Sequence, residues 1–495
     1  MTAFDDSLPA TNPTRTDGTA RRAVLLTSYQ TGATRGRNLG TPGYSYDLVA
    51  QLFVPLLARW GEVIPVARQT DALAAAEREA RRRGLDPVHI SFVACQDMVF
   101  APTAPNVVVP AWEFPDVPDH AFDGNPNNNW VATADRCDLV IVGGQFTVEA
   151  LQRAGIRAPI HIVPVPTPDE YFAIPAWRSD GQWRIPYPAY VFPHPEVSES
   201  ALWDAPELPA NEVPRSGGSR RGWLRDKARS TYRDYIKPLV PPAAHKMLKV
   251  ATRRAGRDSW ERYVESCRRP HLDLSGVVYT SIFNPGDGRK NWEDLLTGFV
   301  WGLRDCDDAT LLVKLVTKNR TWIERILTYY RHVGLAHRCK VVFVTDYLQH
   351  ESMIDLVRAS TYYLTTTRAE GNCLPVMNYL AAGRPSIAPS HSALSDYFTE
   401  TMGFVVDAHP EPAIWPQDNR LRFRTTWGRL VWPSLLERLR RSYHIARNDR
   451  PAYDALSAAG QSKMTQWASV ESVWPRLREA LDFIDALKPR KPLAA

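Results

Sequence analysis

Thr365-Thr-Thr-Arg-Ala-Glu370-Gly-Asn-Cys-Leu-Pro375-Val-Met-Asn378-Tyr-Leu-Ala-Ala-Gly383-Arg-Pro385 decides how this chain reads. The β-branched and aromatic run that leads into it, Tyr362 to Thr367, predicts a strand, and the strand stops at an acidic residue followed by glycine. A helix is expected from Leu374-Pro375 to Gly383, because proline suits a first helical turn and glycine the position past the last. A carboxylate and bare backbone N–H groups therefore meet where a parallel strand hands over to a helix. Open α/β sheets hold their ligands at such places, so Glu370 is placed in a site.

Outward from this stretch, short apolar runs alternate with amphipathic segments. The first half has candidate strands at Ala23–Thr27, Val63–Val66, His89–Ala94, Val107–Pro110, Leu139–Val142 and His161–Val163. The second has Val277–Phe283, Thr310–Val316, Val341–Thr345, Tyr362–Thr366, Ser386–Ala388 and Phe404–Val406. Such alternation predicts an α/β chain with two doubly wound parallel sheets. The expected division is a tail over 1–20, a first domain over 21–175, an insert or linker over 176–270, a second domain over 271–425 and terminal helices over 426–495. Trp467, Val470, Trp474, Leu477, Leu481 and Ile484 share a helical period near the C-terminus, interrupted at Pro475.

A second informative segment runs Val278-Tyr-Thr-Ser-Ile-Phe283-Asn-Pro-Gly-Asp-Gly-Arg289-Lys290-Asn-Trp292. A strand enters a Gly/Pro loop, meets two cations and leaves by a helix with an apolar face at Trp292, Leu295, Leu296 and Phe299. Cations at a helix start are mildly unfavourable, by roughly 0.3–1 kcal/mol, unless an anion is present. An anionic ligand is the favoured reading over a solvated Arg-Lys pair.

Together the two segments resemble the retaining glycosyltransferases of family 4, which have the GT-B fold: two facing Rossmann-like domains with a C-terminal helix that crosses back onto the first. The family signature is a glutamate, seven residues, a second glutamate and a small-residue helix ending in Gly-x-Pro. Glu370 matches the first glutamate, Asn378 stands at the second, and Gly371, Leu374, Pro375, Ala382, Gly383 and Pro385 also fit. The resemblance implies that Glu370 holds sugar hydroxyls, that Asn378 meets the ribose, and that Gly371, Asn372 and Leu374 lie at the donor. Lys290 matches the lysine that grips the donor diphosphate. The arginine position six residues earlier is Asn284, and neighbouring Arg289 is expected to supply the second cation. Tyr347-Leu348 corresponds to a region near the nucleobase, and Lys318 reads as a phosphate contact or an exposed loop lysine. What the resemblance implies is transfer of a sugar from a nucleoside-diphosphate donor to a glycan or lipid-linked acceptor. Its rivals are a GT-B protein that binds nucleotide or glycan without turnover, and a sugar-nucleotide epimerase.

In the first half, Gly32, Arg35 and Gly36 follow the first strand in a glycine-containing loop that does not fit G-x-G-x-x-G. The family has a loop here that approaches donor phosphate and acceptor; a surface loop is the alternative. Trp112 and Glu113 end the Val107 strand and read either as contacts to a sugar or as a proline-braced corner.

Composition bounds the rest. The 495 residues, 44% hydrophobic and 23% charged, suit two ordinary domains, and no apolar run is long enough to span a membrane. The six cysteines form no C-x-x-C pair and read as buried thiols of a cytoplasmic protein. The histidines show no paired ligand spacing, so no metal and no cofactor are expected beyond the nucleotide sugar. Asp305-Cys-Asp307 precedes a strand and reads as a turn. Between Arg215 and Arg257, thirteen Lys and Arg face two Asp, a net of +11 against +6 for the whole chain. That local charge reads as a helix on an anionic membrane surface or as a solvated linker, with nucleic acid well behind.

Overall fold

The computed structural model describes residues 21–29, 43–192, 265–317, 319–333, 336–416, 418 and 420–487. Its first layer is a six-stranded sheet of β1 (Arg22–Thr27), β2 (Glu62–Pro65), β3 (Asp86–Ser91), β4 (Asn106–Val108), β5 (Leu139–Val142) and β6 (Ile160–Ile162). The order is β2-β1-β3-β4-β5-β6 and every pairing is parallel. Consecutive residues such as Val24 and Leu25, or Val107 and Val108, are buried, as expected of strands covered on both faces. The cover comes from α1 (Tyr44–Leu57), α2 (Thr70–Arg82), α3 (Trp130–Ala134) and α4 (Gln145–Arg153), whereas the short α5 (Asp169–Phe172) packs Tyr171 against Val376 and Tyr379 of the second domain.

The second layer collects β7 (Trp183–Ile185), β8 (Ala189–Phe192), β9 (Arg268–Arg269), β10 (Leu272–Leu274), β11 (Val277–Phe283), β12 (Ala309–Leu315), β13 (Lys340–Val344), β14 (Tyr362–Leu364), β15 (Ser386–Pro389) and β16 (Gly403–Val406). Eight of these form one sheet in the order β16-β15-β14-β11-β12-β13-β8-β9, while β7 and β10 pair by themselves. The block from β16 to β13 is parallel, and β8 and β9 add antiparallel at its edge. The two described ends of the 176–270 stretch thus supply edge strands to the second sheet. The 1–20 tail and the basic Arg215–Arg257 segment lie outside the described residues.

Helices α6 (Trp292–Gly302), α7 (Arg320–Val333), α8 (His350–Ala359) and α9 (Leu374–Ala381) cover this sheet. Gly383, at φ 65°, ends α9 in the left-handed conformation that glycine tolerates best. An antiparallel hairpin follows, β17 (Ala408–Ile414) and β18 (Arg424–Leu430), then α10 (Trp432–Asn448), α11 (Arg450–Ala468) and α12 (Val470–Asp485). Helix α11 packs on the second domain through Tyr453 and Met464. At Ser469 the path turns, its side chain capping Ser472 N–H at 3.2 Å. Helix α12 then lays Val473, Leu477, Ala480, Leu481 and Ile484 against Val24, Phe53 and Val88 of the first domain. Each of the Val, Leu and Ile side chains contributes roughly 1.5–3 kcal/mol by burial, and Arg22 pairs with Asp485 at 2.8 Å. No described helix is long and apolar enough to cross a membrane.

Candidate functional site

Strand order locates the site before any side chain is considered. In the second sheet β11 lies beside β14; the chain leaves β11 toward β12 on one side and β14 toward β15 on the other. The loops after β11 and β14 therefore open a crevice at the carboxyl ends of the strands, where doubly wound sheets bind ligands. Asp305-Cys-Asp307 instead precedes β12, in a turn closed by Cys306 N–H to the Leu303 carbonyl at 3.0 Å.

The two loops are stitched together by local chemistry. Asn284 turns the first: its side chain accepts from Gly286 N–H at 3.0 Å and its carbonyl from Asp287 N–H at 3.1 Å. Asn291, left-handed at φ 48°, donates to the Thr366 carbonyl at 3.1 Å. Thr366 Oγ1 returns a bond to the Asn291 carbonyl at 2.8 Å, and Arg368 N–H reaches the Arg289 carbonyl at 2.7 Å. Ser392 Oγ accepts from Glu370 N–H at 2.9 Å. Three of the five described non-glycine residues at positive φ, Asn291, Cys373 and Ser392, flank these loops. Such strain collects where the surrounding structure holds a functional geometry.

Five charged side chains converge there. Lys290 Nζ donates to Glu370 Oε1 at 2.5 Å. Arg289 engages Asp287 through Nε at 3.1 Å and Nη2 at 2.6 Å, and its Nη1 lies 3.1 Å from Glu113 Oε1 and 3.0 Å from the Ala369 carbonyl. Burial works hardest against the charge of Lys290, but Glu370 and Asp287 together outweigh it and hold the amine above its ordinary value. Burial raises the Glu113 carboxyl above the usual range, and Arg289 only partly opposes this. Asp287 is held below its ordinary value because Arg289 and Lys290 outweigh its burial. Burial pushes nearby His391 down to about 4, so its imidazole is neutral at neutral pH. Two cations against three carboxylates leave the cluster one charge negative.

By sequence the chain matches no protein-family model and no curated protein. Its architecture does match solved structures. A sucrose-phosphate synthase from Thermosynechococcus elongatus aligns at a TM-score of 0.52 and 13% identity, over 94% of this chain and 99% of that one. A glycosyltransferase from Rickettsia africae ESF-5 aligns at 0.52 and 10% identity, over 95% of this chain and all of the other. The fold is GT-B. At these identities the likeness speaks for architecture alone.

The two GT-B domains are closed on each other around the charged cluster. A Cβ on Gly143 or Gly144 of the first domain would press on Asn372 Oδ1 or Asp396 Oδ2 of the second, so a side chain at either glycine has to displace one of these groups. Asp396 accepts from Phe146 N–H at 3.2 Å in the first turn of α4. Gly371 sits with a Cβ position 3.4 Å from Ala111 Cβ and from Trp112 N. On the far side of this contact the β17–β18 hairpin presents Trp415 and Phe423 to Trp112, Phe114 and Trp130. Trp415 lies 5.5 Å from the Trp112 ring and 6.3 Å from the Trp130 ring.

The structure thus brings Glu370, Lys290, Arg289 and Glu113 together, with Gly371 and Asn372 at the domain boundary. Other expected residues sit differently. Trp112, only 1% exposed, has its indole enclosed in the aromatic cluster and donating to the Asp116 carbonyl at 3.0 Å, so it presents no open ring face for a sugar. Arg289 has each of its nitrogens engaged within the protein, which leaves Lys290 as the cation with the fewest partners in the cluster. Asn378, on α9, bonds to Tyr171 of α5. Leu374 packs at the start of α9 between two apolar clusters. Leu348 is buried with Val278 and Leu312 in the core, while Tyr347 beside it is exposed. Gly32, Arg35, Gly36 and Lys318 lie outside the described residues.

The sequence reading missed the partners that complete this region. Asp287 was visible in the Asn-Pro-Gly-Asp-Gly loop, as a capping residue ahead of two cations. At the first sheet's own switch point, between β1 and β3, Tyr29 donates to Asp97 Oδ2 at 2.6 Å. Arg68 stacks over that Tyr29 ring at 4.9 Å. Tyr46 Oη bridges the Ala111 carbonyl and N–H at 3.1 Å each, fixing the loop that carries Trp112 and Glu113.

Proposed function

We propose that this protein is a retaining glycosyltransferase of the family 4 type, using a nucleoside-diphosphate sugar and a glycan or lipid-linked acceptor. The observation that carries the reading is the Lys290–Glu370 pair, Glu370 buried and Lys290 half-buried, at the switch point of a GT-B second domain. Donor binding exchanges that internal contact for two external ones: sugar hydroxyls take Glu370, and the diphosphate takes Lys290. As the anomeric C–O bond breaks, positive charge grows on the sugar beside Glu370 and negative charge on the leaving phosphate beside Lys290. Both groups meet the charge that develops, so they stabilise the transition state more than the ground state. The acceptor oxygen forms its bond on the same face, and its proton passes to the departing phosphate. Asn378, whose side chain bonds to Tyr171 of α5, is the residue that turns to the ribose when the donor enters.

Release of nucleoside diphosphate from UDP-, GDP- and ADP-sugars, with and without glycan acceptors, tests this. Glu370→Gln should lower release by about 10²–10³-fold with folding retained, the scale of losing one charge-stabilising group. Nucleotide binding without release from the wild type would instead support a binding module, and acceptor-independent conversion of the sugar would support an epimerase.

A further inference from the structure

We propose that Glu113 of the first domain is a positioning residue that acts through Arg289 to hold the loop carrying Glu370. The proposal rests on the glycosyltransferase reading of that site. Arg289 is 8% exposed, and its Nη1 binds the carbonyl of Ala369, the residue immediately before Glu370, at 3.0 Å. The same nitrogen faces Glu113 Oε1 at 3.1 Å across the domain boundary. Asp287 fixes the rest of the guanidinium, so the fork has one orientation. The apposition continues on either side. Ala369 is buried among Trp112 and Phe114, and Gly371 abuts Ala111 and Trp112. Residues 369–371 are therefore set against residues 111–113 of the other domain. Separating the domains removes Glu113 from Arg289, and with it one of the two carboxylates that orient the group holding the Ala369 peptide. Closure, not donor contact alone, then sets the place of Glu370.

The test compares turnover of a nucleoside-diphosphate sugar by the wild type, Glu113→Gln, Glu113→Asp, Arg289→Lys and the double variant Glu113→Gln/Arg289→Lys. Glu113→Gln keeps shape and a hydrogen-bond acceptor but removes the charge. It should lower kcat by about 10–100-fold, the scale of a small misplacement of a reacting group, and leave the donor KM within about twofold. Glu113→Asp should recover part of the rate, and the double variant should be no slower than the slower single one, since both act on one chain of contacts. A raised KM at unchanged kcat, or additive losses, overturns the proposal. Amide exchange at Arg368 and Glu370, whose N–H groups bond to the Arg289 carbonyl and Ser392 Oγ, should quicken in Glu113→Gln relative to the amides of β11 and β12. Unchanged exchange also overturns it. If the wild type turns over no donor, the glycosyltransferase reading fails, and the exchange measurement alone decides whether Glu113 holds the loop.

Discussion

The two domains meet through two seams of opposite chemistry. One is polar and lies at the crevice: Glu113 with Arg289, Asp396 on the first turn of α4, Asn372 against Gly143. The other is aromatic and lies on the hairpin side: Trp415 and Phe423 among Trp112, Phe114 and Trp130. The polar seam includes two carboxylates, Glu113 and Asp396, whose charge depends on pH and on what else occupies the crevice. The aromatic seam depends on neither. Its contacts are non-directional and add both buried area and ring pairing, worth about 0.5–1.5 kcal/mol per pair beyond burial. The second seam can hold the domains together while the first rearranges around a ligand. Trp415→Ala separates the two roles most sharply. It should destabilise the protein by about 3–5 kcal/mol, as expected for an emptied aromatic site, and expand the molecule in small-angle scattering. A loss under about 1 kcal/mol, the level of an ordinary surface change, would mean that the hairpin does not hold the closed form.

A smaller effect tests whether the hairpin itself is braced. Asp418, fully buried at its tip, accepts from the N–H groups of Arg420 at 3.0 Å, Arg422 at 3.0 Å and Phe423 at 2.7 Å, and from Arg420 Nε at 2.9 Å. Those bonds outweigh its burial and hold the carboxyl below the usual range. Arg420 in turn covers the Phe122 ring of the first domain at 3.5 Å. Asp418→Asn keeps the shape but leaves one oxygen to serve these donors. Its cost should be about 1.5–3 kcal/mol, the range for hydrogen bonds to a charged group, read from denaturant midpoints. If Asp418→Asn matches the wild type, the turn is held by aromatic docking alone.

How much of this was legible follows from which residues carry local signals. The parallel strands announce themselves through short apolar runs such as Val277–Phe283, and the central ones, buried on both faces, need no polar alternation. The hairpin does not. Strand β17 reads Ala-His-Pro-Glu-Pro-Ala-Ile, and Pro410 and Pro412 argue against a strand. They are tolerated because prolines at alternate positions share one edge, and a two-stranded ribbon has an open edge to spare. Strands β7 to β10 are two to four residues long and take their meaning from the sheet they join. At the site, Glu370 and Lys290 were readable because each sits in a strand-loop-helix unit with its own local grammar. The Glu113–Arg289 pair has no such grammar. It exists only through closure of two domains far apart in sequence, and the same closure turned Trp112 from a candidate sugar platform into packing.

The least forceful test, and the most specific to the polar seam, is the sign of its pH dependence. Glu113 and Asp396 both titrate higher in the folded protein than as ordinary carboxylates, chiefly because burial disfavours their charge. Glu113 faces Arg289, Lys290, Asp287, Glu370 and Tyr46, and Asp396 faces the amides of Phe146 and Gln145 with Glu149 and Lys463 further out. For a raised acid the folded chain binds more protons between the unfolded and folded values, so stability falls as pH rises through that window. Asp418 and Asp287 have the opposite sign: their contribution is present above the unfolded value and is lost as pH falls. Unfolding free energies measured between about pH 4 and 7, starting near the ordinary carboxylate values, should decline with rising pH less steeply in Glu113→Gln and in Asp396→Asn than in the wild type. Asp418→Asn should leave that decline intact and weaken only the loss on the acid side. Wild-type slopes in both polar-seam variants would mean that these two carboxylates titrate alike in the folded and unfolded chain, and that the polar seam stays closed regardless of its charge.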